Sequence, residues 1–244
     1  MTTAVIPCGG RGTRLAARYP DTPKELLPVA GQPLLQWTLE EAAAAGLERI
    51  VVVTSPTKPQ IAKFLTTYSP NRLTVQVVLQ PEPRGLGDAV TCARDLVGAN
   101  DVAVLLPDNL FARGPAIAPV LAARRATGMA AVLLAELPPA AGATGRATGR
   151  RRADGLLQVE AVADKVTATA TGRLAPVGRM VFGPDVFERW ERLRAGLAPG
   201  AELDDVPLLQ ALAADGRLVG VALDGPFYDA GVPEGYTAAM AALS

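Results

Sequence analysis

Residues 9–14 read Gly-Gly-Arg-Gly-Thr-Arg, and ten residues after Arg14 comes Lys24, inside Pro-Lys-Glu-Leu-Leu-Pro. These residue types suit an anion. Glycines directly behind an apolar strand let backbone N–H groups approach a ligand closely, and a helix start beyond them adds a favourable dipole. Arg14 offers a planar fork for phosphate oxygens and Lys24 a compact point charge. Two cations flanking a glycine loop suit a polyphosphate, and triphosphate binding is the natural expectation. Solvated surface cations are the plainer alternative. The spacing is not that of a dinucleotide fingerprint, whose third glycine is missing at its place, nor of a Walker loop, since Gly-Lys-Ser/Thr is absent. Arg11 could touch the same triphosphate; Arg18 reads as solvated.

The elements that must carry this loop are legible as a pattern. A chain of 244 residues with 49% apolar and 20% charged content can bury one sizeable core, and residues 1–244 read as a single domain. "TAVIPC" predicts a strand, "PLLQWTLEEAAAAGLER" a helix closed by Gly46, and "RIVVVTS" a buried strand. Helices are then expected at "PQIAKFLTTY", "GLGDAVTCARDLVG" and "APVLAARRATG", alternating with strands at "LTVQVVLQ", "DVAVLLPDN" and "MAAVLLAEL". That alternation implies an α/β fold of Rossmann-like character: a mixed, mostly parallel sheet with helices on both faces and ligands beyond the strands' carboxyl ends. Residues 138–155 break the rhythm and read as an exposed hairpin or flexible loop, or as a lip over the ligand. The strands and helices after them suggest a small α+β part.

Composition removes several functions. Twenty-four basic residues balance twenty-four acidic ones, so no overall field attracts nucleic acid or a membrane surface. The opening lacks a cationic leader, Pro7 interrupts its apolar stretch, and no run approaches the ~18 apolar residues of a membrane span. The chain reads as cytoplasmic. Cys8 and Cys92 form no disulfide framework or metal spacing, and with no histidine in the chain imidazole catalysis is excluded.

The segment "GGRGTRL…PKELLPVAGQPLLQW" resembles the signature of the sugar-1-phosphate nucleotidyltransferases, near the bacterial branches that use UTP or dTTP with glucose 1-phosphate. The likeness continues in order through "LQPEPRGLGDAV", "VAVLLPDN", "APVGRMVF" and "YDAGVPEGY", over nearly the whole chain. It implies the nucleotide-diphospho-sugar transferase fold, with residues 1–137 mainly for the nucleotide and 138–244 mainly for the acceptor. It also implies in-line attack by a phosphate oxygen on the α-phosphorus of a UTP, dTTP or CTP, Mg²⁺ as cofactor, and a homo-oligomer. A phosphate monoester's second pKa is about 6, so the nucleophile is already ionised and needs no general base.

By this resemblance Arg14 stabilises the β- and γ-phosphates and Lys24 reaches the α-phosphate. The backbone of Cys8, Gly9, Gly10, Arg11, Gly12 and Thr13 lies beneath the nucleotide, and Gln80 with the backbone at Gly85 reads the base edge. Asp108, emerging from an apolar strand, and Asp229 in "YDAG" would hold the metal through hard oxygen ligands. Asp88 reads as first-turn helix chemistry and Asp224 as a turn residue. On the acceptor side the family's Glu-Lys-Pro is replaced by "ADKV", so Asp164 stands one methylene short and Lys165 is the phosphate ligand expected. A glycine of the 145–149 stretch, Gly145 or Gly149 with Gly149 taken for it, completes that side with Gly178 and with Glu202, which reads equally as a helix cap. The departure makes a non-glucose acceptor credible: a modified sugar phosphate, a cyclitol phosphate, a phosphonate or a choline-like phosphate. A non-catalytic homologue is the remaining alternative.

Overall fold

The computed structural model describes residues 1–68, 73–137, 145–164 and 173–243. The first apolar run forms β1 (Thr2–Pro7), and the glycine loop then enters one helical turn, α1 (Thr13–Ala16), through Gly12 at φ +63°. A tight hairpin of β2 (Pro28–Val29) and β3 (Gln32–Pro33) turns on the left-handed pair Ala30 and Gly31. The predicted helix is α2 (Leu34–Ala44), released by Gly46 at φ +77°. There follow β4 (Arg49–Thr54), α3 (Pro59–Thr67), β5 (Thr74–Leu79), α4 (Leu86–Cys92), α5 (Arg94–Val97), β6 (Asp101–Leu105) and β7 (Asn109–Phe111). Next come α6 (Ile117–Thr127), β8 (Ala130–Glu136), β9 (Arg146–Arg151), β10 (Leu157–Ala163) and β11 (Leu174–Phe182). The described chain ends with α7 (Val186–Ala195), α8 (Val206–Ala214), β12 (Leu218–Ala222), β13 (Phe227–Asp229) and α9 (Pro233–Leu243).

Nine strands form one sheet in the order β5-β4-β1-β6-β11-β8-β12-β10-β9. Strands β1, β4, β5 and β6 are mutually parallel, as are β8 and β12, while β11 and β10 run against their neighbours. The mixed, mostly parallel sheet is therefore present. Two sequence expectations change in detail and one is narrowed. The α+β part is continuous with the main sheet, because β9 to β12 pair into it. Where it is described, the 138–155 segment takes the hairpin reading rather than the flexible one: residues 146–151 are β9, paired antiparallel with β10, exposed from Thr148 onward but with Arg146 and Ala147 buried against the core. The helix expected over "GLGDAVTCARDLVG" is two, parted at Ala93, whose ψ of −1° leaves the helical register.

Alternation along the strands builds two cores. On one face Val5, Val102, Val104, Val132, Met180 and Phe182 pack with α4, α7 and α8; on the other Ala4, Ile6, Ala103, Leu105, Leu133 and Val181 pack with α2, α3 and α6. Burial of both faces explains why these strands read as continuous apolar runs. A third cluster joins α9 to the loop region: Leu15, Leu27, Val29, Leu110 and Tyr236 pack together, and the Tyr236 hydroxyl donates to the Pro28 carbonyl at 2.6 Å. In the first core Trp190, 1% exposed, stands edge-on to Phe182 with ring centres 5.7 Å apart. Trp190→Ala is expected to destabilise the protein by about 3–5 kcal/mol in urea denaturation, since a cavity replaces the indole.

Candidate functional site

Because β1, β4 and β6 are parallel neighbours, the loops after Pro7, Thr54 and Leu105 leave the sheet at one edge. All the chemistry gathers there, as expected for a sheet of this kind.

The glycine loop is held from below by a buried ion pair. Lys58 Nζ donates at 2.9 Å to the Cys8 carbonyl and, at the same distance, to both carboxylate oxygens of Glu25, which is fully buried. One ammonium thus ties the loop's first carbonyl to the turn that carries Lys24. Burial raises the Glu25 pKa, with Lys58 and then Lys24 pulling it back. Burial also pushes the Cys8 thiol well up, helped by Glu25, so this cysteine stays protonated and structural. Neither Glu25 nor Lys58 was singled out by sequence reasoning: a glutamate in "PKELLP" and a lysine in a loop carry no signal until the fold stacks them.

Two aspartates meet across the two-stranded pairing of β7 and β13, in which Asn109 is the register partner of Asp229. Lys24 Nζ donates to Asp108 Oδ2, and Asn109 Nδ2 donates to Asp108 Oδ1 at 3.0 Å. Asn109 is itself fixed, because its Oδ1 accepts from the Gly178 N–H at 2.9 Å. Beneath them Arg179, 1% exposed, forks onto Glu41 at 2.8 and 2.6 Å. It also donates to the carbonyls of Leu106 and Asn109 at 2.9 and 3.1 Å, on either side of Asp108. A Cβ on Gly231 would lie 2.6 Å from Asp108 Oδ2 and 3.0 Å from Asp229 Oδ1, so the bare glycine keeps open a place that both carboxylates face. Burial and the neighbouring Asp108 charge raise the Asp229 pKa, while the Gly231 N–H, Lys24 and Arg14 oppose the rise. Burial likewise opposes ionisation of Asp108, but Lys24 and the hydrogen bonds to it hold its pKa below the usual carboxylate range. For Lys24, burial works against the charge and is outweighed by Asp108, Glu25 and Asp229, which raise its pKa.

A cleft of about 1180 Å³ opens over this edge. Gly9, Gly10, Arg11, Gly12, Thr13, Arg14, Lys24, Gln80, Gly85, Asp108, Gly178, Glu202 and Asp229 all line it. Cys8 lies under the loop, fully buried. Arg14 is exposed and makes no hydrogen bond or ion pair among the described residues, whereas Lys24 is engaged by Asp108. Gly149 is not in the lining: it stands in β9, where a Cβ would sit 1.9 Å from the Gln158 carbonyl oxygen, so strand pairing accounts for the glycine. Gly145 is the glycine of that segment that lines the cleft. Asp164 is exposed and outside the lining, and Lys165 lies outside the described residues. Asp204 and Asp205, passed over in the sequence, line the cleft beside Glu202; "GAELDDVPLL" shows three acids, but nothing in it says which face the cleft.

Paired carboxylates of hard oxygen donors facing one open place fit a divalent ion. Among the described residues no three His, Cys, Asp or Glu side chains gather closely enough to hold a metal, so such an ion would complete its shell with phosphate and water. No described helix is long and apolar enough to cross a membrane.

Breaking the buried pair beneath the loop leaves a charge without a partner. Lys58→Met is expected to cost about 3–5 kcal/mol by chemical denaturation, and adding Glu25→Leu should return most of that stability.

Comparison with known proteins bears on the whole chain. The profile of the family described as "Nucleotidyl transferase" matches residues 3–244. A UTP–glucose-1-phosphate uridylyltransferase of Bacillus subtilis is 30% identical, the match covering 96% of this chain and 87% of that one. One from Staphylococcus saprophyticus is 29% identical, covering 96% and 89%. Among solved structures, a UDP-glucose pyrophosphorylase complexed with UDP-glucose superposes with a TM-score of 0.89 at 24% identity, covering 100% of this chain and 98% of that one. The UDP-glucose pyrophosphorylase of Acinetobacter baumannii gives 0.82 at 26% identity, covering 98% and 92%. A family match spanning almost every residue and a 30% identical relative of similar length leave one assignment: the chain belongs to the nucleotidyl transferase family and is a sugar-1-phosphate nucleotidyltransferase.

Proposed function

We propose that this enzyme joins a pyrimidine nucleoside triphosphate to a sugar 1-phosphate, releasing pyrophosphate and an NDP-sugar, with Mg²⁺ as the divalent ion. The observation that carries the reading is Arg14, a cation on the cleft with no hydrogen bond or ion pair among the described residues, beside the linked group Lys24, Asp108 and Asp229. The names of the relatives, which specify UTP and glucose 1-phosphate, support UTP as the first nucleotide to test.

In this reading residues 1–137 bind the nucleotide and residues 138–244 mainly the acceptor, with Asp229 returning to the nucleotide's phosphates. Backbone of residues 9–13 carries the triphosphate. Arg14 neutralises charge that grows on the departing pyrophosphate, and Lys24 passes from Asp108 toward the α-phosphate. Asp108 and Asp229 would hold Mg²⁺, which when bound supplies charge neutralisation across the phosphates. The acceptor's phosphate oxygen forms a bond to the α-phosphorus as the bond to the β-phosphate's bridging oxygen breaks, and no proton transfer is needed. Positioning does most of the work.

The acceptor side supports a second reading. Asp164 is exposed and not among the residues that line the cleft, while Glu202, Asp204 and Asp205 are. Carboxylates from that acidic segment would then meet the acceptor's hydroxyl groups, with Lys165 holding its phosphate, and an acceptor other than glucose 1-phosphate fits that exchange.

Pyrophosphate release with Mg²⁺, scanning nucleoside triphosphates against glucose 1-phosphate and other phosphates and phosphonates, tests both readings. Turnover with UTP and glucose 1-phosphate upholds the first, turnover only with another acceptor the second. Nucleotide binding with no release in any combination would overturn both and make the chain a non-catalytic homologue. Arg14→Ala should leave stability within about 0.5 kcal/mol, being an exposed substitution. The same change should lower kcat/KM by about 10²–10³-fold. Asp229→Asn is expected to reduce kcat by a similar factor of about 10²–10³ without loss of fold.

A further inference from the structure

Gln80, the residue directly after β5, is almost fully buried, 2% exposed, and its amide has little freedom. The Nε2 group donates to Asp88 Oδ2 at 2.8 Å and to the Gly85 carbonyl at 3.3 Å. Both partners can only accept, a carboxylate and a backbone carbonyl, so both N–H bonds of the amide are spent and its orientation follows from chemistry. Oε1 is left over. It accepts no hydrogen bond among the described residues, and it sits 2.4 Å from where a Gly9 side chain would begin, between residues that line the cleft. Asp88 is fixed in turn: its Oδ1 is ion-paired with Arg194 Nη2 at 2.9 Å, and its side chain is 14% exposed against 45% for Arg194.

We propose that Asp88, pinned by Arg194, is a positioning residue that sets the polarity of the Gln80 amide, so that the cleft offers the base an acceptor and selects a ring N–H. Uracil and thymine carry a donor N3–H. Cytosine presents a bare N3 lone pair at the same position, which a carbonyl oxygen repels. The inference rests on the reading of the cleft as a nucleotide site and goes beyond it by assigning base selection to a residue that touches no base.

The substitution Asp88→Asn separates polarity from packing. Arg194 donates only, so it holds the new amide's oxygen and turns its NH₂ toward Gln80, whose own amide must then flip and aim N–H bonds at the cleft. The measurement is the ratio of kcat/KM for UTP to that for CTP, with melting temperature taken for every variant. The wild-type enzyme is expected to favour UTP, and Asp88→Asn to lower the ratio by at least about tenfold. In the double variant Asp88→Asn with Arg194→Ala the amide at 88 is free to turn, and most of the original ratio should return. Gln80→Met, which removes the reading group, should bring the ratio toward unity and keeps the test open if Asp88→Asn does not fold.

A wild-type preference for CTP, an unchanged ratio in a folded Asp88→Asn or Gln80→Met, or a double variant no different from Asp88→Asn would each overturn the proposal. Absence of turnover in the wild type with every nucleotide would instead strike the proposed function. In that event the same UTP-to-CTP comparison is made from nucleotide-induced shifts in melting temperature.

Discussion

Two carboxylates, Asp108 and Asp229, are brought side by side where the sheet ends, and the surrounding structure answers that repulsion. The register of β7 against β13 leaves no choice in the matter, since Asn109 and Asp229 face each other across it. Lys24 supplies the compensating charge, and the result is asymmetric: Asp108 is favoured as an anion while Asp229, short of a cation of its own, resists ionisation. An arrangement with one carboxylate paired and its neighbour under-compensated is poised for another cation. A Cβ on Gly231 would crowd both carboxylates, 2.6 Å from Asp108 Oδ2 and 3.0 Å from Asp229 Oδ1.

Two buried cations hold the frame around this pair. Lys58 joins the glycine loop to the Lys24 turn through Glu25, and Arg179 grips the backbone on both sides of Asp108 while spanning to Glu41. Charges taken out of water gain little net stability even when paired, so such pairs are poor evidence of a stability role. What they do here is geometric. Each ties a backbone carbonyl of a site loop to a side chain from a distant element, and rigid loops of that kind are what a reaction driven by positioning requires. The Arg194–Asp88–Gln80 chain applies the same device to a neutral amide.

Much of the fold and half of the site were legible in the sequence. Continuous apolar runs, buried on both faces, marked β1, β6 and β8, and Gly46 closed α2 as its position implied. The glycine loop and Lys24 were found because a polyphosphate site needs those residue types, Gln80 and Asp229 through the family resemblance, and Asp108 through both, and the fold brings them to one cleft. Less legible was anything set by contacts between segments distant in sequence. Glu25 and Lys58 look like solvated charges until stacked 33 residues apart, and Asp88 looks like first-turn dipole chemistry until Gln80 and Arg194 flank it. Gly149 was taken for a ligand-side glycine, whereas a carbonyl from the neighbouring strand excludes a side chain there. The polar, low-pattern stretch that hid β9 did so because its exposed residues are Thr148, Gly149, Arg150 and Arg151 and only Arg146 and Ala147 are buried.

The central claim is that two aspartates alone are an incomplete metal site, finished by the nucleotide's phosphates. Calorimetric titration of the enzyme tests it most directly, with Mg²⁺ alone, with UTP alone and with UTP at saturating Mg²⁺. The account predicts no measurable binding of Mg²⁺ alone, UTP binding strengthened about tenfold or more by the ion, and loss of that coupling in Asp108→Asn and Asp229→Asn. Tight binding of Mg²⁺ to the free enzyme, or a UTP affinity indifferent to the ion, would contradict it.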